Sequence, residues 1–168
     1  MTFMINTNSK RAILLGGFFA GVMDFTAATI FYGFWRDRSP IQVWQSVASG
    51  LLGMRAYDGG LTTAVLGVFF HFVIAFTAAA TFYAASRKIS LLVQHPIISG
   101  IFYGIAVFFF MQLVVLPLSA FPHQIAFPLI GVIRGTMIHI VCVGLPISFA
   151  TYKFSNSHVP TPRHGLIL

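Results

Sequence analysis

Four apolar runs constrain this chain more than any other feature. They cover residues 12–34, 61–85, 96–116 and 128–152. A hydrocarbon core of about 30 Å needs roughly 20 helical residues at about 1.5 Å each, and every run meets that length. Lipid offers the backbone no hydrogen-bond partners, so a spanning run closes its own N–H and C=O groups as a helix. Composition excludes a soluble domain. Hydrophobic residues make up 57% of the chain and charged ones 8%, against about 25% charged in soluble proteins. The expected fold is an all-α membrane protein. It has four transmembrane helices plus a short amphipathic interfacial helix between the first and second. One domain covers residues 1–152, and residues 153–168 form a flexible cytoplasmic tail. Lys10 and Arg11 precede the first run as they would in a signal peptide, but that run is too long and lacks a cleavage site.

The net charge is +7, from ten Lys and Arg and three Asp. These basic residues flank apolar runs, so lipid headgroups account for them and nucleic acid is not an expected partner. One side carries Lys10, Arg11, Arg87, Lys88, Lys153 and Arg163, and the other Arg36, Arg38 and Arg55. The excess places both termini of a multi-pass membrane protein in the cytoplasm. The single Cys142 has no disulfide partner in the chain.

Residues 40–54 read PIQVWQSVASGLLGM. Ile41, Trp44, Val47, Ala48, Leu51 and Leu52 recur at helical spacing, with Gln42, Gln45, Ser46 and Ser49 on the other side. That pattern predicts a helix in the membrane interface with Trp44 at headgroup level, or else a helix capping the bundle. Asp58-Gly59-Gly60 then marks a turn. Pro117 bounds the third run, and Pro146 should kink the fourth.

The polar residues inside the runs are few, and they fall on stripes of small residues, where membrane helices approach closely. Gly17, Gly21, Asp24 and Ala28 share one stripe, Ala64, Gly67, His71 and Ala75 a second, and Gly131, Gly135 and His139 a third. Gly100 and Gly104 mark the third run. A weak repeat follows: Gly-x-x-x-Gly in runs one and three, Gly-x-x-x-His in runs two and four. Two like hairpins would be related by an axis along the membrane normal.

Asp24 and Arg134 are each costly in lipid, and pairing would lower the cost of both. Such a pair would hold the bundle or belong to a proton or ion path. Arg134 and His139 are five residues apart, about 140° around a helix, and are not expected to serve one point. His71 and His139 could each hydrogen-bond a neighbouring helix. Alternatively they could be the two axial ligands of a b-type haem, or relay protons with Asp24. Two imidazoles alone make a poor metal site, so no metal is expected. No phosphate loop, Gly-x-Ser-x-Gly, His-Glu-x-x-His or dinucleotide fingerprint occurs, and the chain has no Glu.

Several stretches resemble a known group. They are GGFFAGVMDFTAATIFYGF, SPIQVWQSVASGLLGMRAYDGGLTTAVLGVFFHFVIAF, SGIFYGIAVFFFMQLVVLPLSAFP and HIVCVGLPIS. Together they look like a family of small bacterial inner-membrane proteins with four spans, distantly similar to the YagU-type family. The resemblance implies a bacterial inner membrane and makes Asp24, His71, Pro117, His139 and Pro146 parts of a family pattern. It brings no activity with it. The expected function is non-enzymatic, with no cofactor. The chain would be an accessory subunit of a larger membrane complex or a small homo-oligomer, with the bilayer and other membrane subunits as partners. The alternatives are a haem-binding or proton-handling protein using His71, His139 and Asp24, and a small-solute channel or transporter.

Overall fold

The computed structural model describes residues 7–36, 38–123 and 128–155 (of 34–36 the backbone only). It is all-helical among those residues, and four helices are long and apolar enough to cross a membrane. Those spans are Thr7–Gly33, Gly60–Ser86, Pro96–Leu118 and Leu129–Ser155. The first is α1 (Thr7–Arg36) and the second α3 (Gly60–Ser86), with α2 (Pro40–Leu52) between them. A short α4 (Leu91–Gln94) leads into the third span, built from α5 (Pro96–Phe110) and α6 (Leu116–Leu118). The fourth consists of α7 (Leu129–His139) and α8 (Leu145–Ser155).

Both later spans contain a wide π-helical turn, at Met111–Val115 and at Ile140–Gly144. The N–H of Leu116 reaches the carbonyl of Met111, and that of Leu145 the carbonyl of Ile140, five residues back in each case. Each turn starts six residues before a proline, Pro117 or Pro146. In a regular helix the proline ring would press on the carbonyl four residues back and leave it without a donor. Widening the turn moves that carbonyl away. The third span therefore does not end at Pro117 but carries it in its last turn, and residue 118 replaces 116 as its limit. The fourth span runs on to Ser155, so Lys153 is helical, and the expected flexible tail falls on residues 156–168, outside the described residues.

The bundle is densest at the end that carries Lys10, Arg11, Arg87, Lys88 and Lys153. Ala20, Ala79, Phe82, Val143 and Ile147 form its buried core. Gly16 lets the first span lie against the Ile147 backbone, with 3.4 Å from an added Cβ to its Cα. Three hydrogen bonds cross between helices here. Ser9 Oγ and Tyr83 Oη share one at 2.9 Å, Tyr103 O–H donates to the Ala78 carbonyl at 2.7 Å, and Ser148 O–H to the Pro96 carbonyl at 2.7 Å.

Helix α2 starts with a capping box. Gln42 N–H donates to Ser39 Oγ at 3.3 Å, and Ser39 N–H to Gln42 Oε1 at 3.1 Å. Its buried face is Val43, Gln45, Ala48 and Ser49, whereas Leu51 is 63% exposed. The expected split set Ala48 and Leu51 on one side and Gln45 and Ser49 on the other, whereas Gln45 and Ser49 are buried beside Ala48 and Leu51 is not. Hydrogen bonds explain the inversion: Gln45 Nε2 donates to the Gly60 carbonyl at 2.9 Å and to Thr63 Oγ1 at 3.2 Å. Trp44 is turned onto the first span, with its ring stacked on Phe25 at 5.4 Å. Gly67 makes room for the Trp44 carbonyl, so α2 lies along the second span. Its far end meets the third span, where Ala120 N–H donates to the Gly50 carbonyl at 2.8 Å.

Candidate functional site: a cavity among three spans

Away from the dense end, the first, third and fourth spans separate around a cavity of about 550 Å³. Asp24, Ala28, Phe31 and Tyr32 line it from the first span, and Phe108, Gln112 and Leu116 from the third. The fourth contributes Ile130, Gly131, Val132, Arg134, Gly135, Ile138 and His139, and Phe121 and His123 close one end. Of the three residues that helical spacing set on inward faces, Asp24 and His139 line this space and His71 does not; Arg134 lines it as well. Arg134 and His139, expected to serve different points, both border this one space. The cavity is long enough along α7 to take in both, at different levels.

Asp24 and Arg134 also share the cavity at different levels. The Arg134 guanidinium carbon lies 5.4 Å from the centre of the Phe31 ring. Phe31 is seven residues beyond Asp24 on α1, about 10 Å along the axis. Among the described residues, no hydrogen-bond or ion-pair partner reaches the Asp24 carboxylate. The expected Asp24–Arg134 pair is thus a shared wall rather than a contact.

The two histidines have different surroundings. His71 Nε2–H donates across to the Gly21 carbonyl of the first span at 3.0 Å, and its ring lies 5.4 Å from Phe25. That is the interhelical hydrogen bond expected of it. His139 Nδ1–H donates within its own helix, to the Gly135 carbonyl at 2.9 Å. Its Nε2 has no hydrogen-bond partner among the described residues. Only His139 lines the cavity, and α3 is not packed beside α7. Two axial haem ligands must face one another across a single iron. Here His71 Nε2 is bonded to the Gly21 carbonyl, and His71 does not line the cavity that His139 lines.

The glycines divide by what they approach. Gly17 and Gly21 receive the Phe76 and Phe72 rings of the second span. Gly100 and Gly104 lie against the π-helical turn of the fourth. A Cβ on Gly104 would come within 2.5 Å of the Ile140 Cα, and one on Gly100 within 3.0 Å of the Leu145 Cα. Gly135 accepts the Phe108 ring, and Gly67 packs on α2 rather than on another span. Gly131 departs from its expected packing role, since an added Cβ would meet only Pro128 of its own first turn. Sequence reading missed Gly144, where a Cβ would come within 2.7 Å of the Gly104 nitrogen. It is the last residue of the π-helical turn, where a helical wheel drawn from His139 no longer holds register. Gln112 was missed as well, because a single amide near a span end carries no charge to draw attention.

Compared with family models, with curated proteins and with solved structures, the chain matches none. What the fold defines is a class: an all-helical protein with four helices long and apolar enough to cross a membrane.

Proposed function

We propose that the chain is a multi-pass, non-enzymatic membrane protein that takes a small solute into the cavity among its first, third and fourth spans. One observation carries this reading. A bundle of apolar helices gathers Asp24, Gln112, Arg134 and His139 onto the wall of one cavity of about 550 Å³. Ionisable residues within spans are costly and mark solute, ion or proton pathways, and cavities of about 300–1,000 Å³ suit small ligands. The asymmetry of basic residues supports both termini in the cytoplasm, and the family resemblance supports a bacterial inner membrane. The accessory-subunit or homo-oligomer role retains one support. Outside its four spans and α2, the described chain offers a partner very little surface.

The test is thiol accessibility. With Cys142→Ala as background, Gln112→Cys should react with a membrane-impermeant maleimide in sealed vesicles. Filling the cavity with Ala28→Trp should slow that reaction. An unreactive Gln112→Cys, in vesicles of either orientation where Arg55→Cys or Arg87→Cys reacts, would sink the reading.

A further inference from the structure

The two hairpins repeat each other beyond their glycines. Gly17-x-Phe19-x-Gly21-x-x-x-Phe25 recurs as Gly100-x-Phe102-x-Gly104-x-x-x-Phe108. In the even spans, Leu61, Gly67, His71 and Val73 recur at the same spacing as Leu129, Gly135, His139 and Val141. The contacts repeat too. Gly21 lies against Phe72 and Gly104 against Ile140, each the residue after the histidine. About one turn further on, Gly17 meets Phe76 and Gly100 meets Gly144 and Leu145. The Phe25–His71 and Phe108–His139 ring centres are both 5.4 Å apart.

The halves differ in what rests on this shared frame. In the first, the frame holds Trp44. Its indole stacks on Phe25 at 5.4 Å and 30°, and its Nε1–H donates to Thr29 Oγ1 at 3.2 Å. Its backbone carbonyl sits on Gly67. The second hairpin has no counterpart of α2 among the described residues. The residues equivalent to Phe25, Thr29, Gly67 and His71 are Phe108, Gln112, Gly135 and His139, and all four line the cavity. Gln112 stands where Thr29 stands, four residues past the phenylalanine, and its amide has no hydrogen-bond partner among the described residues.

The halves part at one point, since the Phe108 ring itself fills the space above Gly135 that the Trp44 backbone fills above Gly67. We propose that Gln112 and His139, beside Phe108, bind a flat aromatic ring bearing a ring N–H, a ligand of the indole class, in the part of the cavity equivalent to the place of the Trp44 indole in the first half. The inference rests on the cavity's being a solute site. A helix the size of α2 would not fit a cavity of about 550 Å³, whereas a small ring leaves space for a charged substituent near Asp24 or Arg134. The ring meets Phe108, which is 4% exposed, edge to face rather than in a full stack, and its N–H donates to Gln112 Oε1.

Equilibrium dialysis of the full chain in detergent tests this with two probes, indole and 1-methylindole, which differ in the ring donor. Indole should bind saturably, and 1-methylindole about fivefold or more weaker, because the Gln112 oxygen is left without its donor. Gln112→Leu should erase that preference. Equal binding of the two probes to the unaltered chain would overturn the proposal, as would a preference that survives in Gln112→Leu. Should that variant fail to fold, the two-probe comparison on the unaltered chain still decides. If neither probe binds although Gln112→Cys is accessible to the maleimide, the aromatic assignment fails while the solute cavity stands. An inaccessible Gln112→Cys removes both.

Discussion

At the scale of single residues, the decisive contacts run through backbone rather than side chains. Gly144, Gly100 and Gly104 bring the third and fourth spans together almost atom against atom. A methyl group there has no flexible neighbour to displace. Gly144→Ala should therefore lower the melting temperature in detergent markedly, by the equivalent of about 2 kcal/mol or more. Gly131→Ala should leave it unchanged within about 1 kcal/mol, since helix propensity favours alanine and the Pro128 ring can yield. Equal melting temperatures for the two variants would contradict this packing. His71 is intermediate. Its bond to the Gly21 carbonyl is one membrane hydrogen bond, so His71→Leu should cost about 0.5–2 kcal/mol in the same assay. The inward placement of His71, Asp24 and His139 was legible in the sequence, because helical spacing alone selects a face. Their separate partners were not. A wheel gives direction around an axis but says nothing of which neighbour stands there.

At the scale of elements, the four spans could be read from length and hydropathy, and α2 from its period. The faces of α2 could not. Hydrophobicity sets Gln45 and Ser49 apart from Ala48, but the Gly60 carbonyl and the Thr63 hydroxyl of α3 give Gln45 its partners. The Ser-x-x-Gln capping box at Ser39 was visible in the sequence as an N-terminal signal. The π-helical turns were half legible. Pro117 and Pro146 announce a disturbance, but whether the helix breaks, kinks or widens depends on what the following residues must face. In the fourth span Ile147, Ser148 and Thr151 are fully buried, and a regular turn would rotate them by about 100°. Packing therefore holds the wide turn along with the proline. Pro146→Ala should accordingly keep the turn and change stability by less than about 1.5 kcal/mol. A loss larger than that of Gly144→Ala would show the proline to be the principal restraint.

At the scale of the whole molecule, one end is stiff and the other divided. The core and the three interhelical hydrogen bonds lie toward the basic end, and the cavity lies toward the end with Arg38 and Arg55. If the basic end faces the cytoplasm, a reporter fused after Lys153 should report the cytoplasmic side. One inserted at Asp58 should report the opposite side. Reversed signals would invert the assignment and place the cavity nearest the cytoplasm.

The fourth span is the most extensive neighbour of the first, although the two are farthest apart along the chain. The fourth is made roughly 100 residues after the first, so at about 5–20 residues per second the first waits some 5–20 s for its main neighbour. Through that interval its Gly16 face meets lipid, the translocation machinery or a chaperone in place of α8. The newborn chain is thus most vulnerable to membrane quality control just before its last helix arrives.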